Sequence, residues 1–176
     1  MDKLISIDEF KPGAALNLGI QEASFEHVVL ISGHCKPVDS TWLNELSRDL
    51  ENTPDLAGIY GRQIPTTEST PIDSRDLWTV FGLEDRFQSI DPFFHNANSL
   101  IKKSIWSQFK FDANATNVED RLWAKKVLGE GYRLKYASHA VVEHWHGINH
   151  NGNTKRAESV LRVLNEHQIY SVRLND

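Results

Sequence analysis

Unbroken apolar runs alternate along this chain with stretches in which apolar residues recur every three or four positions. His27-Val-Val-Leu-Ile-Ser32 is the clearest run, β-branched and continuous, the pattern of a strand covered on both faces. Lys3-Leu-Ile-Ser-Ile-Asp8 predicts a shorter, half-alternating strand, and Ala14 to Ala23 predicts a helix by propensity. Strand, helix and strand in that space predict a βαβ unit. Trp42, Leu43, Leu46 and Leu50 recur at helical spacing behind Asp39 or Ser40, either of which suits a cap. Leu56-Ala-Gly-Ile-Tyr60 predicts a further strand. Residues 61–90 are polar and hold Pro65 and Pro71, so they read as a long loop with some helix. A loop of that length in a compact domain is more often functional than idle.

The second half continues the alternation. Asn98 to Lys103 predicts a strand and Ser104 to Gln108 a helical turn. Val118 to Leu128 predicts a helix, with Asn117 as its cap and Gly129 and Gly131 at its end. Tyr132 to Tyr136 and Ala140 to His144 predict two strands. Thr154 to Glu166 predicts a last helix, with Val160, Leu161 and Leu164 on one face. Strands alternating with helices favour an α/β layer architecture. No linker divides residues 1–176, so one domain is expected.

Composition narrows the function classes. The 176 residues carry 40% hydrophobic and 24% charged side chains, a globular balance. The net charge of −5 and the lack of a basic run argue against a nucleic-acid binder. No apolar run approaches the roughly 20 residues of a membrane span, and no signal-peptide pattern opens the chain. Cys35 is the only cysteine, so no internal disulfide forms, and a reducing cytoplasm is the expected compartment.

Three constellations carry candidate chemistry. The first is Ile31-Ser32-Gly33-His34-Cys35-Lys36-Pro37 at the end of the buried run, followed by Trp42. Ligands of open α/β sheets gather at the carboxyl ends of strands, and Gly33 permits close approach to the backbone. The second is Glu119-Asp120, with Arg121, Trp123 and Ala124 after it and Gly131-Tyr132 downstream. Adjacent carboxylates on a helix point about 100° apart, so one faces a cleft while the other pairs elsewhere. Near a helix N-terminus the ionised form is favoured, and an ionised carboxylate accepts protons. Taken alone, such acids merely complement the helix dipole. The third is His144, ending Ala140-Val-Val-Glu143, with His146 two residues on as a weaker candidate. A zinc hydrolase is disfavoured, since no His-Glu-x-x-His pair exists.

The order of these segments resembles the GT-A glycosyltransferases of family 2. Gly58-Ile-Tyr-Gly61-Arg62-Gln63-Ile-Pro65 is similar to the family's Gly-Arg-Gln-x-Pro segment. Asn96-Ala-Asn98-Ser-Leu-Ile-Lys102-Lys103 is similar to its Asn-rich strand followed by two basic residues, and Gly13 to Ile20 to its Gly-x-x-x-Asn-x-Gly helix. The resemblance spans residues 4–146. It implies a mixed, mostly parallel sheet flanked by helices. It implies transfer of a sugar from a nucleotide-diphosphate sugar to a hydroxyl of a glycan or lipid-linked glycan, with inversion, in polysaccharide or glycoconjugate synthesis. Asp120 would be the base, supported by Glu119. His34 and His144 would hold a divalent cation, Mn²⁺ or Mg²⁺ by the resemblance, although two neutral nitrogens suit Zn²⁺ or Fe²⁺ as well. Asn17, Ser32, Gly33, Asn98 and Arg62 would face the donor and its diphosphate, and Arg121 and Trp123 the acceptor. Cytoplasmic placement, at the inner face of a membrane or free of it, follows from the same resemblance.

Two departures qualify that expectation. Ser32 stands where the family carries an aspartate, and a hydroxyl has little affinity for Mg²⁺ or Mn²⁺. The first βα unit of the family domain has no counterpart before Lys3, which leaves one side of the sheet open. A fragment, a shortened reading frame, or a second chain (a copy of this one or another) supplying the strand would each account for it. The alternative function is a weak or inactive remnant that binds sugars or a partner.

Overall fold

The computed structural model describes residues 3–115, 117–148, 150 and 152–169. In chain order these form α1 (Pro12–Glu22), β1 (His27–Ile31), β2 (Cys35–Pro37), α2 (Trp42–Ser47), β3 (Leu56–Pro65) and α3 (Pro71–Val80). There follow β4 (Arg86–Gln88), β5 (Asn98–Lys102), α4 (Lys103–Gln108), α5 (Glu119–Gly129), β6 (Arg133–His144) and α6 (Thr154–Glu166). The strands make one sheet in the order β1-β5-β3-β6-β2, and β4 also pairs with β6.

The sheet separates two apolar layers because successive strand residues point to opposite faces. Tyr60 packs with Ile20, Phe94, Trp106, Trp123 and Tyr136, whereas its neighbour Ile59 packs with Leu46, Leu50, Leu100 and Ala140. Helices α1, α4 and α5 thus contribute to one layer and α2 to the other. A smaller cluster joins Val118 to Leu164 and Ile169, seating α6 beside the start of α5.

The mixed sheet flanked by helices is the expected architecture, with three differences. The sheet is not mostly parallel: of the pairings among the described residues only β3–β6 is parallel. Its first strand β1 alternates Val28 and Leu30 inward, as an antiparallel strand does, instead of being covered on both faces. Lys3 to Asp8 forms no strand, and Leu4 is 93% exposed. An apolar run gains ladder hydrogen bonds only beside a partner, and no described strand lies there, so the βαβ unit is not formed.

Two further differences position the site. The predicted strands at 132–136 and 140–144 are one bent strand, β6, whose register against β3 shifts between Gly61 and Gln63. The segment read as a loop holds the end of β3, all of α3 and β4. Thr70 caps α3 by accepting from Asp73 N–H, and Pro71 occupies the first turn, where its missing N–H costs nothing.

At the register shift the sheet is crossed by one side chain. Asn98 is fully buried; its Nδ2 donates to the carbonyls of Ala140 (2.8 Å) and Arg62 (3.2 Å), and its Oδ1 accepts from Trp42 Nε1 (2.9 Å). Only a glycine leaves room for it: a Cβ on Gly61 would lie 2.3 Å from both Asn98 Nδ2 and the Ala140 carbonyl oxygen. Gly61→Ala is therefore expected to cost at least about 2 kcal/mol of stability, as overpacking does. Gly33→Ala, whose Cβ meets open space, should change stability by less than about 0.5 kcal/mol. Urea unfolding of the two variants checks the contrast.

Candidate active site

The turn from β1 to β2 is tight, with Cys35 N–H donating to the Ser32 carbonyl at 2.9 Å. Strand β2 then runs antiparallel to β6 with Cys35 opposite His144. That register sets His34 against His144 across 110 residues of sequence, their Nε2 atoms 2.8 Å apart and their rings stacked at 4.8 Å. His146 closes the group, 4.7 Å from the His34 ring and 4.4 Å from the His144 ring. His150 stacks on His146 at 3.8 Å, and His95 lies edge-on to His144 at 6.2 Å.

The turn carrying His146 is held by the segment that reads as a loop. Ser69 Oγ donates to the Trp145 carbonyl, and Asp73 Oδ1 accepts from Gly147 N–H, each at 2.8 Å. A Cβ on Gly147 would lie 2.9 Å from Asp73, so the two segments pack at backbone contact. Segment 61–90 thus supports the site from behind.

The carboxylates enter from α5. Glu119 is 9% exposed; Asp120 Oδ1 accepts from Arg121 N–H at 2.8 Å and its Oδ2 from Asn96 N–H at 3.4 Å. Burial raises the Asp120 carboxyl to about 7, the adjacent Glu119 charge adds to the rise, and Arg121 opposes it. Burial also raises Glu119, against the Asn96 side chain and Arg156. The helix N-terminus was expected to favour ionisation, but desolvation outweighs it here. Burial lowers His144 to about 2, His95 to about 3 and His150 to about 4, the crowding of neighbouring imidazoles adding to it and, for His95 and His150, the Arg156 cation as well, so all three are neutral at neutral pH.

These groups share one cavity of about 260 Å³, lined among others by Ser32, His34, Asn96, Glu119, Asp120 and His144. A second cavity of about 300 Å³ adjoins it, sharing His95, Asn117, Asp120 and Arg156 and adding Arg121 and the apolar face of α6 at Ala157, Val160, Leu161 and Leu164. Asn153 caps α6, and Arg156 in its first turn donates to Asn117 Oδ1. Asn117 is in the left-handed region at φ 69° and is not the side-chain cap of α5; Val118 holds the N-cap position.

The remaining sequence candidates lie elsewhere. Asn98 is occupied in the clamp described above and does not face the cavity. Asn17 Nδ2 donates to the Phe111 carbonyl, and its Oδ1 accepts from Trp106 Nε1 and Phe111 N–H, so it ties α1 to α4 and the segment after it. Neither Arg62 nor the exposed Gly33 lines the cavity. Trp123 is 1% exposed in the core beside Phe94 and Phe111 and lines neither cavity. Arg121 lies over the Phe93 ring at 5.0 Å and lines the second cavity. Sequence reasoning missed His95, Asn96 and Arg156. Asn96 opens the Asn-rich motif, in which only Asn98 carries a proposed role, His95 precedes it, and nothing in the α6 sequence sets Arg156 apart from other helix-surface cations.

No known family profile matches the chain. The O-antigen chain rhamnosyltransferase WbaN of Salmonella anatum is 23% identical over 154 residues, 81% of this chain and 49% of that protein. The chain therefore spans about half the length of this curated relative. The structure of the mannosyltransferase PcManGT from Pyrobaculum calidifontis, in complex with GDP-Man and Mn²⁺, superposes with a TM-score of 0.64 at 16% identity, covering 97% of this chain and 47% of that one. GalNAc-T7 with UDP, GalNAc and Mn²⁺ superposes at 0.59 and 14% identity, covering 88% and 34%. The fold is that of the GT-A glycosyltransferases, as the sequence motifs implied.

The carboxylate pair makes a direct test of the site's electrostatics. Glu119→Gln removes a negative neighbour, so Asp120 should ionise more easily and its midpoint should fall below the wild-type value of about 7. NMR titration of the Asp120 carboxyl carbon measures the shift; an unmoved or raised midpoint contradicts the coupling.

Proposed function

We propose that this GT-A chain is a glycosyltransferase, or the acceptor-binding larger part of one, transferring a sugar from a nucleotide-diphosphate sugar to a hydroxyl of a glycan or lipid-linked glycan. The observation that carries the reading is Asp120, a carboxylate raised to about 7, in the same cavity as the paired His34 and His144. The curated relative, a rhamnosyltransferase of O-antigen synthesis, supports a role in polysaccharide assembly.

The two cavities divide the work. The apolar face of α6 and Arg121 flank the acceptor, and Asp120 sits at the junction. Asp120 takes the proton from the acceptor hydroxyl as its oxygen attacks the anomeric carbon. The bond from that carbon to the diphosphate oxygen breaks on the opposite side, which inverts the centre. Arg156, lining both cavities, faces negative charge developing on the leaving diphosphate. Glu119 keeps Asp120 basic by repelling a second nearby charge.

The imidazoles of His34 and His144 fit a divalent cation. Their Nε2 atoms converge at 2.8 Å, and neutral imidazole nitrogen is a good donor to such ions. When bound, such an ion supplies positive charge to the diphosphate. The Mn²⁺ of the two structural neighbours is consistent with a cation here.

Transfer from a panel of nucleotide sugars should fall at least about 100-fold in Asp120→Asn, since a base contributes that much or more. Equal turnover in both proteins removes Asp120 from the role. A second expectation concerns pH: the working base is the ionised form, so kcat/KM should rise as pH increases through about 7. A profile flat between pH 5 and pH 8 contradicts it.

A further inference from the structure

We infer that His34, His144 and His146 form a three-imidazole site that selects a borderline ion of the Zn²⁺ class over Mn²⁺ and Mg²⁺, and binds it before any nucleotide arrives. The inference deepens the reading of the cavity as the diphosphate-facing site and rests on it for the ion's role. Ion capture itself is measurable without donor or acceptor.

The geometry comes first. One ring nitrogen from each of the three lies within 4.8 Å of the other two. A tetrahedral ion with bonds of about 2.0–2.1 Å to nitrogen sets its ligands roughly 3.4 Å apart. That spacing falls between the 2.8 Å of the His34–His144 pair and the 4.8 Å limit of the group. Small rotations of exposed His34 and half-buried His146 about fully buried His144 bring the three to one point.

Tautomers point the same way. The Nδ1 of His146 lies 3.0 Å from the Gly147 carbonyl oxygen. A carbonyl only accepts, so that nitrogen carries the proton and Nε2 keeps its lone pair. Donation from one ring nitrogen to a backbone carbonyl is the usual support of a ligating imidazole. The Gly147 amide is in turn held by buried Asp73, which fixes the turn. His144, only 1% exposed, turns its Nε2 to His34 and so presents that nitrogen to the group.

Donor chemistry decides the ion. Ser32 offers the cavity only a neutral hydroxyl, and no carboxylate joins the three-ligand group among the described residues. Mg²⁺ demands oxygen ligands, and Mn²⁺ is the weakest of the first-row divalent ions at nitrogen sites. Zn²⁺, Co²⁺ and Ni²⁺ bind imidazole well. Three protein ligands on one ion leave an open position, the arrangement of a site that receives a further ligand. A site with three ligands of its own does not require diphosphate oxygens to assemble.

Calorimetric titration of the chelator-treated chain with each ion alone tests this. Zn²⁺ should bind at one equivalent, tighter than Mn²⁺ by a factor on the order of 100, and Mg²⁺ should not bind. Co²⁺ should give visible d–d absorption of a tetrahedral nitrogen site, displaced by Zn²⁺. His146→Ala should lose at least tenfold in Zn²⁺ affinity with an unchanged circular-dichroism spectrum, while exposed His139→Ala should bind as wild type. Mn²⁺ binding as tightly as Zn²⁺, or His146→Ala binding as tightly as wild type, overturns the inference. An equal loss in His139→Ala overturns it too, by showing non-specific capture. Zn²⁺ binding without sugar transfer by any ion-loaded form would instead count against the proposed function and leave the metal site standing.

Discussion

The pairing of β6 with three partners at once is the constraint on which the site depends. Strand β6 is the longest in the sheet, and it bonds in parallel to β3 and antiparallel to β2 and β4. Its carboxyl end delivers His144, and the turn beyond delivers His146. Its register with β2 brings His34 to both. A strand is either in register or slipped by whole residues, and a one-residue slip turns every side chain to the other face. The histidine cluster is therefore as well determined as the sheet itself. The Asn98 clamp secures this arrangement at the bend of β6. It spends three hydrogen bonds inside the protein, which is why a residue that resembles a sugar contact serves the scaffold instead.

Burial and charge pull against each other throughout the cavity. A helix N-terminus stabilises carboxylates, yet Glu119 and Asp120 are both raised, because desolvation of a buried group exceeds the benefit of a partial positive charge at the helix end. The same desolvation keeps the buried imidazoles neutral. Neutral imidazole ligates cations, and a carboxylate poised near neutrality both accepts and releases a proton. One physical cause thus prepares both halves of the proposed chemistry. Arg156 is the counterweight, a cation lining both cavities on a helix that docks through Val160, Val163 and Leu164.

Helix and strand positions were largely legible in the sequence, because periodicity reports which face is buried. The helices at 12–22, 119–129 and 154–166 and the strands at 27–31 and 98–102 follow the apolar pattern closely, and the strand expected at 56–60 runs on to Pro65. Direction was not legible. An apolar run states that a strand is covered, not whether its neighbour runs with it or against it, so the sheet was expected to be mostly parallel and is mostly antiparallel among the described strands. The bounds of helix α3 within the segment read as loop with some helix were not legible, because its buried residues include Asp73 and Asp76, which carry no apolar signal.

For the site, the chain by itself determined the chemical cast: two adjacent carboxylates at a helix start, and histidines at the ends of apolar strands. Those are local facts, written in spacing. Only the tertiary structure decided which of them meet. It joined His34 to His144 and added His146, brought His95 and Arg156 to Asp120, and withdrew Asn17, Asn98 and Trp123 into packing and hydrogen-bonding roles. The physical reason is that side-chain convergence across 110 residues depends on strand register and helix docking, and these are set by the whole core at once.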